Sequence, residues 1–455
     1  MSNQKQTAII GAGIAGLSAA YWLEKKGHTV QVFEKNSQPG GAIITERQDG
    51  FLIDLGPNST LETSEVLRDL VNELGLAPQR VYANEASNKR YILKNRQLMA
   101  VPTSAGAFLG TKLFSFGAKL RLLKEPFIRP TAGDDISLAD FVRHRLGQEF
   151  LDYAINPFVA GVYAGDPKTL STAAGFPKLY ALEKNYGSLI KGAFLGARER
   201  KKRKEVAKDR AKMFSFQNGM QTMTDTLAAQ LKTPVLLDAS ITGLQKQDGK
   251  YQLTVEHAGQ QHRYTFDSVI LCTPTHVLAD LLKNIAPAQA APLAVVIYPP
   301  VSVVFTGFNA ADIGRELDGF GYLIPEKEKR EILGSIWSST IFPGRAPEGK
   351  VAFTTFVGGT RQPQNALLPE DELVKLALGE LKSIVGIHGE PVFVKVKKWE
   401  RAIPQYKLGY KNIQAIFDEL ERVHPGLYFA GNYRRGISVG DSVLSAHETV
   451  GRVLE

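Results

Sequence analysis

Gly11-Ala-Gly13-Ile-Ala-Gly16 is the first stretch whose residue types and spacing could do chemistry, and that chemistry is the holding of phosphate. It follows a short apolar run, Thr7-Ala-Ile-Ile10, and opens a helical periodicity (Leu17, Ala20, Tyr21, Leu23) that Gly27 ends. Gly11 permits the tight turn, Gly13 lets backbone approach a pyrophosphate, and Gly16 lets the helix pack on the strand. The helix start, with Ala12, Ile14 and Ala15 between the glycines, offers free N–H groups and the positive end of the helix dipole. A second strand-like run, Thr29-Val-Gln-Val-Phe33, delivers Glu34, placed to accept hydrogen bonds from ribose hydroxyls. Alone, G-x-G-x-x-G is a weak signal; strand, glycine loop, helix, second strand and acid in this order are a strong one.

Other chemistries are poorly provided for. The single cysteine, Cys272, excludes an internal disulfide and a cysteine-based metal site, and its place in Ser268-Val-Ile-Leu-Cys272 reads as a buried strand residue. The eight histidines show neither metal-ligand spacing nor a Ser-His-Asp order, so no metal is expected. The hard chemistry then falls to a cofactor, and the protein orients the substrate.

Around this site the chain must supply more than one core, because 455 residues exceed what a single core usually holds. With 44% hydrophobic and 22% charged residues the composition is that of a globular protein. Nine basic residues fall between Arg198 and Lys212 and carry much of the net charge of +9. Without interleaved aromatics this run argues against nucleic acid and reads as a solvated helix or a contact for an anionic membrane surface. The apolar stretch from Ala291 to Phe305 is broken by Pro292, Pro299 and Pro300, so no spanning helix is expected there. Leu98 to Leu120, interrupted by Pro102 and Lys112, reads instead as an interface-lying patch. The opening residues pass into the first strand with no leader features, and a cytoplasmic protein, or one peripheral on the cytoplasmic face of a membrane, is expected.

The remaining elements follow from periodicity. Ser64–Leu74 reads as a helix, Arg90–Leu93 and Leu98–Val101 as strands, and 102–204 as mainly helical, with Ser137 and Asp140 forming a capping box. Asp267–Pro274 and Leu427–Asn432 read as buried parallel strands, the second followed by Gly436-Ile-Ser-Val-Gly440-Asp441 and a last helix.

Two further segments carry a resemblance. Gly40-Gly41 and Asp54-Leu-Gly56-Pro57-Asn58-Ser59 resemble the FAD-containing superfamily of amine oxidases and protoporphyrinogen oxidases. There the glycine pair wraps the ribityl-phosphate side and the second turn lies against the flavin ring. Many relatives place a base after the glycine pair, where this chain has Ala42. Asn156-Pro-Phe-Val-Ala-Gly161-Val-Tyr-Ala-Gly165-Asp-Pro167 resembles the signature of the oxygen-dependent protoporphyrinogen oxidase family. Asn88–Tyr91, Leu182–Gly187, Phe214–Met220, Gly319–Pro325, Phe342–Pro347 and Thr355–Gly359 extend the match along the chain.

The resemblance implies an α/β fold with a discontinuous Rossmann-like FAD-binding domain (1–85, 206–287, 399–455). A mixed-sheet substrate domain (86–97, 288–398) and a helical membrane-associating domain (98–205) complete it. It implies six-electron dehydrogenation of protoporphyrinogen IX with dioxygen as acceptor; coproporphyrinogen III is the alternative substrate and amine oxidation the remoter one. FAD contacts are implied for the Gly11–Gly16 loop, Glu34, Lys35, Ala42, Gly56, Pro57, Asn58, Ser59, Ile241, Asn432, Ile437, Ser438 and Val439. Arg90 is expected to pair with a substrate propionate, Ile324, Ile336 and Phe356 to sandwich the macrocycle, and the Gly161 carbonyl to face it. No side chain is expected to act as acid, base or nucleophile. A homodimer is compatible with the family.

Overall fold

Four parallel strands carry the glycine loop. Gln6–Ile10 lies between Thr29–Phe33 and Ser268–Leu271, and Leu427–Phe429 pairs beyond the latter. A computed structural model gives this arrangement and describes residues 5–202 and 211–455; the expected basic run at 198–212 lies largely outside them. The strands are apolar on both faces because both are covered. Ile9 and Ile270 pack under the helices Ile14–Lys25, Glu65–Glu73 and Val439–Leu454, whereas Ala8, Ile10, Val269 and Leu271 pack against the Ala239–Phe266 strands and the Thr275–Leu282 helix. The sheet is thus assembled from both ends of the chain and its middle. The crevice outside the carboxyl ends of Gln6–Ile10 and Ser268–Leu271, where strand order reverses, is where such sheets bind ligands.

A second sheet of seven strands runs in the order Phe393–Trp399, Val301–Asn309, Lys350–Gly358, Ile332–Ile336, Gly321–Leu323, Tyr91–Lys94, Gln97–Ala100. The amphipathic helix Glu370–Val385 covers one face, setting Leu373, Ala377 and Leu381 on Val304, Tyr322, Ile324, Phe353 and Val357. Strand alternation then commits the other residues to the opposite face. There the hairpin Thr45–Gln48/Phe51–Asp54 of the cofactor unit packs Phe51, Ile53 and Leu55 against Phe305, Ala352 and Phe393. Gly307 makes this fit possible, since a Cβ there would lie 2.3 Å from the Phe51 ring.

Helices fill most of 105–202 around a core that includes Leu113, Phe114, Phe141, Val142, Phe150 and Val159. Ser137 caps Leu138–Arg145 and accepts from the Asp140 N–H at 3.0 Å, as its spacing predicted. Arg145 is wholly buried between Glu125 at 2.5 Å and Glu183 at 3.5 Å. Glu125 also accepts from the N–H groups of Leu189 and Ile190, at 2.9 and 3.1 Å, and so caps the Leu189–Lys202 helix. Among the described residues no helix is long and apolar enough to cross a membrane.

A buried ion pair ties the hairpin of the cofactor unit to the segment that leads into the Lys350–Gly358 strand of the second sheet. Arg345, 3% exposed, sets Nη2 3.4 Å from Asp54 Oδ2 and donates to Ser215 Oγ at 2.7 Å. Asp54 Oδ1 accepts from Thr45 Oγ1 at 2.6 Å and from the Met220 N–H at 3.0 Å. Burial raises the Asp54 pKa and lowers that of Arg345, and each charge opposes the other's shift. Removing one partner strands the other. Arg345→Met should therefore destabilise the protein by about 3–5 kcal/mol, and adding Asp54→Asn should recover part of the loss. Urea unfolding of the single and the double variant against wild type measures both.

Candidate active site

The glycine loop is a cradle with one place left open. Gly11 (φ +103°) turns out of the first strand and donates its N–H to the Phe33 carbonyl at 2.8 Å. A Cβ on Gly16 would lie 2.0 Å from the Gly11 carbonyl oxygen, so helix and loop touch through bare backbone. Gly13 differs: its φ of −75° suits any residue and a Cβ there would meet nothing within 4 Å. The second glycine pair closes over the loop, Gly40 N–H donating to the Ala12 carbonyl at 2.9 Å. Glu34 is buried and accepts from the Ala12 N–H at 2.9 Å and from the Asn36 backbone and side-chain nitrogens at 3.0 and 2.6 Å. These bonds aim the carboxylate along the loop and leave acceptor capacity for a ribose hydroxyl. Ile241 stands beside it, because Ala239 N–H, two residues earlier, donates to the Glu34 carbonyl at 2.9 Å.

The polar surroundings fit a dinucleotide. Thr273 Oγ1 is buried without a partner, and its Cγ2 is an atom that a Cβ on Gly11 would approach to 3.3 Å. Such an orphan hydroxyl beside a phosphate loop suits a polar ligand. Ala42 is exposed and brings no cation. Burial chiefly, then the nearby charges of Arg401 and Lys35, holds the His276 imidazole below its usual pKa, so two cations lend positive potential near this edge. Cys272 adjoins the loop, and burial pushes its thiol up to about 12, which leaves it no nucleophile.

The flavin end is built by two returns of the chain. A Cβ on Gly56 would stand 1.8 Å from the Ala42 carbonyl oxygen, so the Gly56-Pro57-Asn58-Ser59 turn lies on the segment after the glycine pair. Trp399 Nε1 donates to the Leu55 carbonyl at 2.9 Å, tying the turn to the second sheet. From the carboxyl end come Asn432 and Ile437, then Ser438 and Val439, where Ser438 and Asp441 form a reciprocal capping box. Three tyrosines not foreseen from sequence fix this return. Tyr433 O–H donates to the Leu271 carbonyl at 2.6 Å, Tyr410 O–H to the Tyr433 carbonyl at 2.8 Å, and Tyr406 O–H to the Asn432 carbonyl. Burial keeps all three hydroxyls protonated, and hence donors.

The second surface is the face of the seven-stranded sheet turned away from the Glu370–Val385 helix. Leu323, Gly334, Phe356 and Val303 are successive partners across four strands, with Gly321 beside Ile336 in the next row. Two glycines in this position flatten an apolar floor. Ile92 pairs with Leu323, and alternation puts Arg90, just before Tyr91, on the same face, its guanidinium over the Phe320 ring at 5.5 Å. Arg90 is exposed and forms no ion pair with a described residue. The helix Asn156–Tyr163 lies above the floor, and a Cβ on Gly161 would come 2.2 Å from Leu323 Cδ2. The Gly161 carbonyl falls in the last turn, where Gly165 N–H donates to Val159 instead.

One expected position is corrected. Ile324 is fully buried under the Glu370–Val385 helix, on the face away from Ile336 and Phe356, because neighbouring strand residues point to opposite sides. Leu323 takes its place. Alternation against Tyr322, a core residue, was the signal that could have found it.

This combination, a dinucleotide cradle at a parallel sheet and an apolar floor facing its flavin end, defines an FAD-dependent oxidoreductase. A family model of flavin-containing amine oxidoreductases matches residues 14–454. Protoporphyrinogen oxidase 2 of Arabidopsis thaliana is 33% identical over 97% of this chain and 92% of its own. Coproporphyrinogen III oxidase of Bacillus subtilis is 31% identical over 97% and 96%. A crystal structure from Exiguobacterium sp., assigned as a protoporphyrinogen oxidase, superposes with a TM-score of 0.83 at 25% identity, covering 100% of this chain and 99% of that one. The chain belongs to the flavin-containing amine oxidoreductases and, within them, to the porphyrinogen oxidase family.

Two glycine variants separate fold from cofactor. Gly13→Val should give a folded, colourless protein, because only the ligand loses its space. Gly16→Ala should fail at folding, because its Cβ collides with the Gly11 carbonyl. Flavin absorbance and circular dichroism of the purified variants distinguish the two.

Proposed function

We propose that the enzyme oxidises protoporphyrinogen IX to protoporphyrin IX, with dioxygen as the final electron acceptor. The observation that carries this reading is the flat apolar face bearing Leu323, Ile336 and Phe356 with a cation, Arg90, at one end. A macrocycle with apolar faces and two neighbouring propionates needs such a floor and such a cation. The flavin, when bound, accepts hydride from the substrate carbon. The protein's residues supply position: Leu323 and Phe356 carry the ring, Gly161 offers a backbone carbonyl, and Arg90 offers a two-pronged donor to carboxylate.

A second reading, coproporphyrinogen III as substrate, is favoured by Lys397. It pairs across strands with Val303 on the same face, at the side of the sheet away from Arg90, and stands over the Trp399 ring at 4.9 Å. Cations on both sides would suit a substrate with four carboxylates. Assays on both porphyrinogens, with Lys397→Met beside wild type, decide between them: loss confined to the four-carboxylate substrate supports the second reading.

We also propose that the helical region rests on an anionic membrane surface. Phe116, Leu123, Phe127 and Phe194 are each at least 70% exposed, flanked by Lys112, Arg121, Lys124 and Lys191. Apolar side chains ringed by bases suit a lipid interface, and a second copy of the chain is the competing occupant. Flotation with anionic vesicles should weaken as salt rises. A protein that never floats at low salt and sediments as a dimer would overturn the membrane reading.

For the substrate, Arg90→Ala should raise the Michaelis constant about 10- to 100-fold, with turnover changed less, since a charge-assisted bond contributes about 1.5–3 kcal/mol in ground and transition states alike. Arg90→Lys should recover only part. Unchanged Michaelis constants for both porphyrinogens would place the anchor elsewhere.

A further inference from the structure

The Asn156–Tyr163 helix is gripped at both ends by two adjacent residues of the turn that follows the Lys350–Gly358 strand. At its start, Asn156 is 7% exposed, and its Oδ1 accepts from Arg361 Nη2 at 3.0 Å and from the Glu326 N–H at 2.8 Å. Arg361 Nη1 donates to the carbonyl of Ile324 at 2.8 Å, so one guanidinium bridges the helix and the end of the Gly321–Leu323 strand. Past the helix end, the Thr360 N–H donates to the Ala164 carbonyl at 2.7 Å. Between these grips the fit is tight. Gly161 leaves no room for a side chain against Leu323, and a Cβ on Gly359 would lie 2.8 Å from the Ala164 carbonyl oxygen. Asn156 is the first residue of the signature segment, yet it faces this junction and not the apolar floor. Burial lowers the Arg361 pKa, opposed by the charges of Glu326 and Asp166.

We propose that Arg361, acting through Asn156, is a positioning residue for porphyrinogen oxidation: it holds the Asn156–Tyr163 helix down on the sheet, and so fixes the Gly161 backbone and the Leu323 side chain that border the slot. The inference rests on the slot reading above. The Gly161 backbone packs directly on Leu323, so loosening the bridge lets the helix ride away and frees Leu323 to shift. That should weaken substrate binding while leaving the flavin cradle, built on the other sheet, intact.

The test uses the flavin-loaded enzyme with protoporphyrinogen IX. Arg361→Met should raise the Michaelis constant about tenfold with turnover changed less than about threefold, as expected for losing a charge-assisted bridge that only positions. Flavin absorbance should stay at wild type. Arg361→Lys, which reaches one acceptor and not both, should fall between. Adding Leu323→Ala to Arg361→Met should raise the constant no further than the larger single change, because both loosen one contact between helix and sheet. A lower melting temperature with an unchanged Michaelis constant, or strictly additive effects, would overturn the proposal. Should Arg361→Met not fold, Asn156→Ala, which keeps the bond to Ile324, carries the same expectations. Phe356→Ala is run alongside. If it raises the Michaelis constant and the Arg361 and Asn156 variants do not, the strut alone has failed; if neither it nor Leu323→Ala does, the slot reading has failed and the proposal falls with it.

Discussion

Everything at the site depends on one sheet being held against the other, and the buried pair of Asp54 and Arg345 sits at that junction. Asp54 ends the strand leading to the flavin-side turn, and Arg345 follows the Ser338–Ile341 turn of helix on the substrate sheet. Neither charge tolerates burial alone, so the two segments are constrained to meet. The Trp399 bond to the Leu55 carbonyl and the seating of Phe51 over Gly307 support the same contact. Hydride transfer needs donor and acceptor held at their working distance, so the seating of these two segments on each other bears on the site as a whole.

Glycine serves the two halves of the site in opposite ways. At Gly16 and Gly56 it allows backbone to lie on backbone, and the protein itself fills the space. At Gly13 the space stays empty, and a pyrophosphate fits it. On the substrate sheet Gly321 and Gly334 keep the floor level between Leu323, Ile336 and Phe356. A puckered or branched surface there would exclude a broad macrocycle, whatever cation stood at its edge.

The helical region buries an ion-pair network beside its apolar core and leaves several large apolar side chains exposed. Arg145, enclosed by Glu125 and Glu183, also donates to the carbonyls of Ile128 and Gly187, at 2.7 and 2.6 Å. Such a network is costly to break and rigidifies the helices around it. It allows Phe127, two residues past Glu125, to stand out at 85% exposure without drawing the segment inward.

The sequence by itself determined the cofactor cradle, because its parts are local and ordered. Gly11 to Gly16, Glu34, and the glycines at 40, 41 and 56 all fall between residues 11 and 56, in the order the motif requires. It also determined that the strands Ser268–Leu271 and Leu427–Phe429 would be largely buried, since Val269–Leu271 and Leu427–Phe429 carry apolar or aromatic side chains at every position. The tertiary structure decided whatever rests on register or on distant partners. Whether Leu323 or Ile324 faces the slot depends on strand parity, and one residue of offset reverses it. Arg345 with Asp54, Arg361 with Asn156, and the three tyrosine hydroxyls on distant carbonyls join segments far apart in the chain. Spacing carries no trace of such pairs, because nothing in the local sequence limits where a long side chain finds its partner.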